Sequence, residues 1–143
     1  MHRIERSVLV PYSAERMFRL VEQVDDYPEF LPWCPASQAR TLPDGSVEAT
    51  IEISYHAVRS RFTTRNVSIH PREIRMTLVN GPFRSLAGEW RFDELPQQAC
   101  KVSLNLQYQF ASGVLGRLIA PVFNSIAGSL IDAFARRADS LYA

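Results

Sequence analysis

Lysine is nearly missing from this chain. Of sixteen basic residues in 143, fifteen are arginine and Lys101 is the sole lysine. Fifteen acidic residues balance them to a net charge of +1. That balance excludes a basic or acidic tail and a disordered charged chain. Cysteine is scarce too. Cys34 and Cys100 lie far apart with no CxxC, so neither a disulfide framework nor a four-cysteine zinc site is supported. Both read as small buried hydrophobes in a reducing compartment. No uninterrupted apolar run reaches 18 residues, so no transmembrane helix is expected. The start, Met1-His2-Arg3-Ile4-Glu5-Arg6, has no apolar h-region and is not read as a signal peptide. The expectation is a cytoplasmic protein. Histidine is sparse: His2, His56 and His70 have no Asp or Glu spaced for a catalytic triad, and no HExxH or paired His points to a metal.

What is present is the composition of one globular domain over 1–143, with 46% hydrophobic and 22% charged residues. Residues 3–10 read as a strand. Ser13 is a candidate N-cap for a helix over Ala14–Val24, and a second short helical turn fits Asp25–Phe30. Alternation then takes over. Val47–Tyr55 alternates apolar with polar, and Asp44-Gly45 before it is a hairpin signal that makes Ser37–Leu42 its partner. Further strands fit residues 59–69, Ile74–Leu78, Leu86–Phe92 and Val102–Phe110. One apolar and one wet face is the pattern of an antiparallel sheet. From about Val114 to about Leu141 the apolar residues recur at three- and four-residue steps, which predicts one long amphipathic helix. Pro121 within it should kink or hinge it.

The fold class is therefore α+β: about seven antiparallel strands curved around a long C-terminal helix, with one or two short helices after the first strand. At 1.5 Å per residue that helix is about 40 Å long. A gap between a curved sheet and one helix is the default place for a ligand.

Six segments, in this order, resemble a known family. They are Val10-Pro11-Tyr12-Ser13-Ala14-Glu15 followed by Met17, then Val24 through Tyr27-Pro28-Glu29-Phe30-Leu31-Pro32-Trp33-Cys34, then Phe62-Thr63-Thr64-Arg65-Asn66. Next come Leu78-Val79-Asn80-Gly81-Pro82-Phe83-Arg84-Ser85-Leu86, Gly88-Glu89-Trp90-Arg91-Phe92 and Ala133-Phe134-Ala135-Arg136-Arg137-Ala138. The chain resembles the coenzyme Q-binding protein family, which is oligoketide cyclase-like and belongs to the START/polyketide-cyclase superfamily. Bacterial members of that family include the ribosome-association toxin. The resemblance implies a helix-grip fold. It also implies an apolar tunnel that holds ubiquinone or a similar isoprenoid lipid, bound without covalent attachment, in support of respiratory electron transport. A mitochondrial member would carry an Arg-rich transit peptide, whereas Ile4 already opens the first strand here. A bacterial cytoplasmic protein, peripheral to the inner membrane, fits that pattern.

The expected tunnel residues are Phe30, Trp33, Tyr55, Phe62, Phe83, Trp90, Phe92, Tyr108, Phe110, Leu118, Val122 and Ile126. Tyr55 and Tyr108, read as facing inward, are the expected hydrogen-bonding groups for a quinone head. Gly81-Pro82 leaves Phe83 at a loop tip, either as a tucked-in core residue or as an apolar lip. Pro121 would let Leu115, Leu118 and Ile119 swing as an amphipathic flap against a membrane surface.

A second function competes. Seven arginines and two glutamates lie between Tyr55 and Phe92. Arg59, Arg61, Arg65, Arg75 and Arg91 would form an anionic-partner face, suited to lipid headgroups or a ribosomal subunit. Its aromatic residues alternate inward, which disfavours sequence-specific nucleic-acid reading. On that reading the protein inhibits ribosome association as the toxin of a toxin–antitoxin pair. A cyclase-type enzyme using Tyr55 or Tyr108 as an acid is the minor third reading, and no catalytic residue is assigned.

Overall fold

The computed structural model describes all residues, Met1–Ala143. Strand β1 (His2–Val10) leads into helix α1 (Ala14–Glu22). Ser13 caps α1, its hydroxyl accepting from the Arg16 backbone N–H at 3.2 Å. The Glu94 carboxylate accepts from the Ala14 N–H at 2.7 Å. Between them they satisfy two of the helix's unpaired N-terminal donors. The α-helix stops at Glu22, and Val24–Glu29 forms a 3-10 turn instead. Pro28 suits that tighter turn better than an α-helix interior.

Six strands follow: β2 (Ser37–Thr41), β3 (Val47–Tyr55), β4 (Val58–Ile69), β5 (Glu73–Asn80), β6 (Phe83–Leu95) and β7 (Ala99–Phe110). Helix α2 (Val114–Tyr142) closes the chain. The sheet has seven strands in the order β1-β7-β6-β5-β4-β3-β2, every pair antiparallel. The expected helix grip is present.

Two expectations change in detail. Phe83 is not a loop tip; it opens β6 and is buried. The turn beside it lies close to β4, where a Cβ on Gly81 would stand 2.7 Å from the Phe62 Cβ. Gly81 also has φ +155, which side-chain-bearing residues rarely adopt. In addition, α2 is long enough, and over an 18-residue stretch apolar enough, to cross a membrane by length and composition alone. Its buried face is packed against the protein through Ile119, Phe123, Ile126, Ile131 and Phe134. It fits a core helix that leaves part of itself in solvent.

The two halves of α2 are held differently. Asp139 accepts from the Tyr12 hydroxyl at 2.6 Å, and Arg137 reaches Glu29 at 3.1 Å while lying over the Phe30 ring. Phe134 packs edge-on against Tyr27, Phe30 and Trp90. The first turns have much less cover: Val114, Leu115 and Leu118 are 71%, 57% and 57% exposed.

Candidate functional site

Between the sheet and α2 the interior holds two aromatic clusters. At the α2 N-terminal end Phe62, Phe83, Tyr108, Phe110 and Phe123 meet, mostly edge to face. Toward the other end Trp90, Phe92, Phe18, Tyr27, Phe30 and Phe134 meet. The space between them is a cavity of about 70 Å³. Typical small-molecule pockets hold roughly 300–1,000 Å³. The interior is thus a small chamber between two packed aromatic plugs, smaller than the elongated tunnel that was expected.

Eighteen residues line it, sixteen of them hydrophobic. The sheet contributes Ala49, Ile51, Phe62, Met76, Leu86, Trp90, Leu104 and Leu106. Helix α2 contributes Phe123, Ile126, Ala127, Leu130 and Phe134. Val24, Tyr27 and Trp33 close one end. That segment is stitched to the edge of β3, where Trp33 and Ala36 carbonyls accept from the Ser54 and Glu52 N–H groups. The two polar lining residues are Thr64 and Asn66, neighbours on the inner face of β4. The Thr64 hydroxyl donates to the Asn66 Oδ1 at 2.8 Å.

Of the twelve residues expected at the tunnel, Trp33, Phe62, Trp90 and Ile126 line the chamber. Phe83, Tyr108 and Phe110 belong to one aromatic plug, and Phe30 and Phe92 to the other. Val122 is half-buried outside the chamber, and Leu118 is exposed. Tyr55 is not buried in the interior. It lies at the very end of β3, 41% exposed, with its ring against His56. Period-2 alternation carries it to the inner side, but the strand has by then run past the cover of α2. Tyr108 is inward, yet its hydroxyl is committed to the Asn124 Oδ1 at 2.6 Å. Burial also raises its pKa, which opposes a role as a proton donor. Cys34 and Cys100 are buried. Burial holds both thiols up, Cys100 to about 11, the opposite of an activated nucleophile. The other fourteen lining residues, Thr64, Asn66 and twelve hydrophobic ones that include Met76, were not in the expected set. The signal was there in the parity of β4, where Phe62, Thr64 and Asn66 share one side.

The expected five-arginine face divides. On the outer sheet surface Glu48 stands opposite Arg65, Glu52 opposite Arg61, Glu73 opposite Arg91 and Glu89 opposite Arg75. Cross-strand opposite charges of this kind are mutually neutralising. Arg65 is ion-paired to Asp44, Arg75 to Glu73 at 2.7 Å, and Arg91 comes within 3.9 Å of Glu89. Arg59 and Arg61 have no ion-pair partner within 4 Å.

Those two lead toward one pole of the molecule. There the β5–β6 turn, the start of β1 and the β7–α2 connection meet, as the His2–Tyr108 and Phe83–Phe110 pairings show, and the β3–β4 hairpin projects from the same end of the sheet beyond the Thr63–Asn80 pair. The Ala111 N–H donates to the Pro82 carbonyl between two of them. None of residues 1–4, 54–60, 78–86 or 107–121 is acidic. Arg3, Arg59, Arg84 and Arg117 lie in these stretches, and all are exposed. So are the apolar residues Val79, Val114, Leu115 and Leu118.

Residues 10–135 match the family described as polyketide cyclase / dehydrase and lipid transport. The chain belongs to this family. Within it, the chain is 42% identical over 139 residues to the ribosome association toxin RatA of Pseudomonas aeruginosa, covering 97% of this chain and 96% of that one. It is 25% identical over 140 residues to the mitochondrial coenzyme Q-binding protein COQ10 homolog B of Xenopus laevis, covering 95% of this chain and 57% of that one. Among solved structures, a START superfamily protein from Mycobacterium smegmatis has TM-score 0.81 at 18% identity, with 99% of each chain covered. The Zhui aromatase/cyclase from Streptomyces sp. R1128 also reaches 0.81, at 15% identity, over 96% and 93%. At those identities the likeness is one of fold. The polyketide cyclase fold thus serves proteins with quite different names, and the chemistry of the individual site must decide.

Proposed function

We propose that this protein acts on ribosome association, as the name of its bacterial relative describes. The observation that carries the reading is end-to-end similarity at 42% identity to RatA, far above the 25% shared with the coenzyme Q-binding homologue. It puts second the quinone-binding function that the family resemblance puts first. The contact surface is the carboxylate-free pole, where Arg59, Arg84 and Arg117 are free to meet phosphates. Guanidinium groups bind phosphate oxygens in bidentate fashion, without reading sequence. The reading implies a cytoplasmic protein and assigns no catalytic step.

Added to bacterial ribosomes in sucrose gradients, the wild type is expected to shift material from whole ribosomes toward free subunits. Arg59→Glu with Arg117→Glu should need at least about tenfold more protein for the same shift, since each reversed charge replaces an attraction with a repulsion. Lys101→Ala, at the start of β7 and so at the other end of the sheet, should behave as wild type. An unchanged profile with the wild type sinks the proposal. Retention on phosphatidylglycerol vesicles without any subunit shift would reassign the pole to a membrane surface.

A second reading rests on a different observation, the apolar chamber. Its sixteen hydrophobic lining residues suit a small apolar ligand, and an isoprenoid quinone is the chemistry that the coenzyme Q-binding homologue's name suggests. The chamber must widen to admit one. Met76 and Leu130, both partly exposed and unbranched at Cβ, are the lining side chains best able to move aside.

A further inference from the structure

The chamber's two polar residues are hydrogen-bonded to each other and to no other side chain. Thr64 is 4% exposed and sits at the inner face of β4, between Ala49 of β3 and Leu78 of β5. Asn66 lies two residues on, between Val47 and Met76. None of these four flanking residues offers a side-chain hydrogen bond. Valine at position 64 would extend the apolar wall and avoid the desolvation of a buried hydroxyl, whereas Asn66 is half-buried at the chamber's polar margin. The pair satisfies itself only in part. The Thr64 hydroxyl donates to Asn66 Oδ1, which fixes the carboxamide and leaves its Nδ2 donors without a protein acceptor.

Meanwhile the phenols expected to greet a polar head are elsewhere. Tyr55 is outside, and Tyr108 is spent on Asn124. Tyr27, which does line the chamber, donates its hydroxyl to the Val21 carbonyl at 2.5 Å.

We propose that Asn66, oriented by Thr64, is the recognition point for a carbonyl oxygen on an otherwise apolar ligand of the chamber, the arrangement of a quinone or ketone head on a hydrocarbon tail. This rests on the apolar-ligand reading. Asn66 Nδ2 donates to the carbonyl oxygen, and the chamber walls take the ring and the start of the tail. Thr64 is a positioning residue: its hydroxyl bond to Oδ1 turns the donors inward.

Both tryptophans of the protein, Trp33 and Trp90, line the chamber, so ligand entry has a built-in reporter. The probes are a ubiquinone with a two-isoprenoid tail, followed by tryptophan quenching, and a tetramethylbenzene carrying the same tail, followed by its displacement of the quinone. The wild type should prefer the quinone. Asn66→Leu should weaken quinone binding about tenfold and leave the hydrocarbon within about twofold, the size expected for one lost buried hydrogen bond. Thr64→Val, nearly the same shape, should weaken the quinone about threefold. It also decides the matter if Asn66→Leu fails to fold. Equal wild-type affinity for the two probes, or quinone affinity retained in the folded variants, overturns the carbonyl site and leaves an unselective apolar chamber. No saturable quenching of the wild type removes the apolar-ligand reading itself, and this inference with it.

Discussion

At the scale of single residues, the β2–β3 hairpin shows how a surface carboxylate can organise its surroundings. Asp44 Oδ1 accepts from both the Ser46 N–H at 2.9 Å and the Ser46 hydroxyl at 2.5 Å. The Ser46 oxygen in turn accepts from Arg65 Nε at 3.0 Å, and Arg65 also reaches the other Asp44 oxygen. The Ser46 hydroxyl and N–H, followed by the Arg65 charge, hold the Asp44 carboxyl below the ordinary aspartate value. A depressed folded-state pKa stabilises the fold above the unfolded value, near 4, and the benefit fades as pH falls through the folded value. Wild type should therefore be more stable than Asp44→Ala at pH 7. The gap in urea midpoint should narrow only below about pH 4. A gap that stays constant down to pH 2 would mean that the charge contributes nothing. The same cluster explains why Arg65 cannot be grouped with Arg59. Sequence shows both on one side of β4, but only the fold brings Asp44 across to Arg65.

At the scale of elements, the informative contrast is within α2. Pro121 deprives the Arg117 carbonyl of its helical donor, yet the helix runs on unbroken from Val114 to Tyr142. What seats its first turn is close backbone contact. A Cβ on Gly116 would stand 1.9 Å from the Ala111 carbonyl oxygen, which is a backbone atom and cannot swing away. Gly116→Ala must push the first turn off the end of β7. The expected cost is about 1–3 kcal/mol in thermal unfolding, as for other overpacked sites. Amide exchange should accelerate at 114–120 and stay unchanged at 126–138, where Phe134, Arg137 and Asp139 are anchored. Uniform acceleration along the helix would show that α2 moves as one rod. Strand alternation and helical periodicity made nearly all of these elements legible, because burial on one face leaves a mark at every second or every third to fourth residue. The ends were not legible. Tyr55 continues a perfect alternation past the last turn of cover, and Phe83 follows a Gly-Pro signal that marks a turn without showing what the turn packs against.

At the scale of the whole molecule, the near-neutral net charge conceals a separation along the long axis of the sheet. Asp25, Asp26 and Glu29 of the 3-10 turn and Asp93 and Glu94 near the end of β6 lie away from the basic pole, while α1 balances Glu15 and Glu22 with Arg16 and Arg19. That pole has arginines and exposed aliphatic residues but no carboxylate. A local count along the sequence finds an excess of arginine in the middle strands. It cannot see that Glu48 and Glu52 of the neighbouring strand stand against Arg65 and Arg61. Pairing across the sheet cancels the middle, and the unpaired remainder collects at one end. A carboxylate-free basic pole orients a protein in the field of a polyanion before contact. Binding that depends on displaced counterions weakens with salt in proportion to the phosphates engaged, and each phosphate contributes a slope of roughly 0.7–0.9 in log K against log salt. If Arg59, Arg84 and Arg117 each meet one phosphate of ribosomal RNA, replacing any one of them by Ala should reduce the slope of subunit binding by about one. Arg91→Ala, which removes a charge already neighboured by glutamates, should leave it unaltered. Equal slopes for all four variants would place the contact on the broad sheet surface instead of the pole.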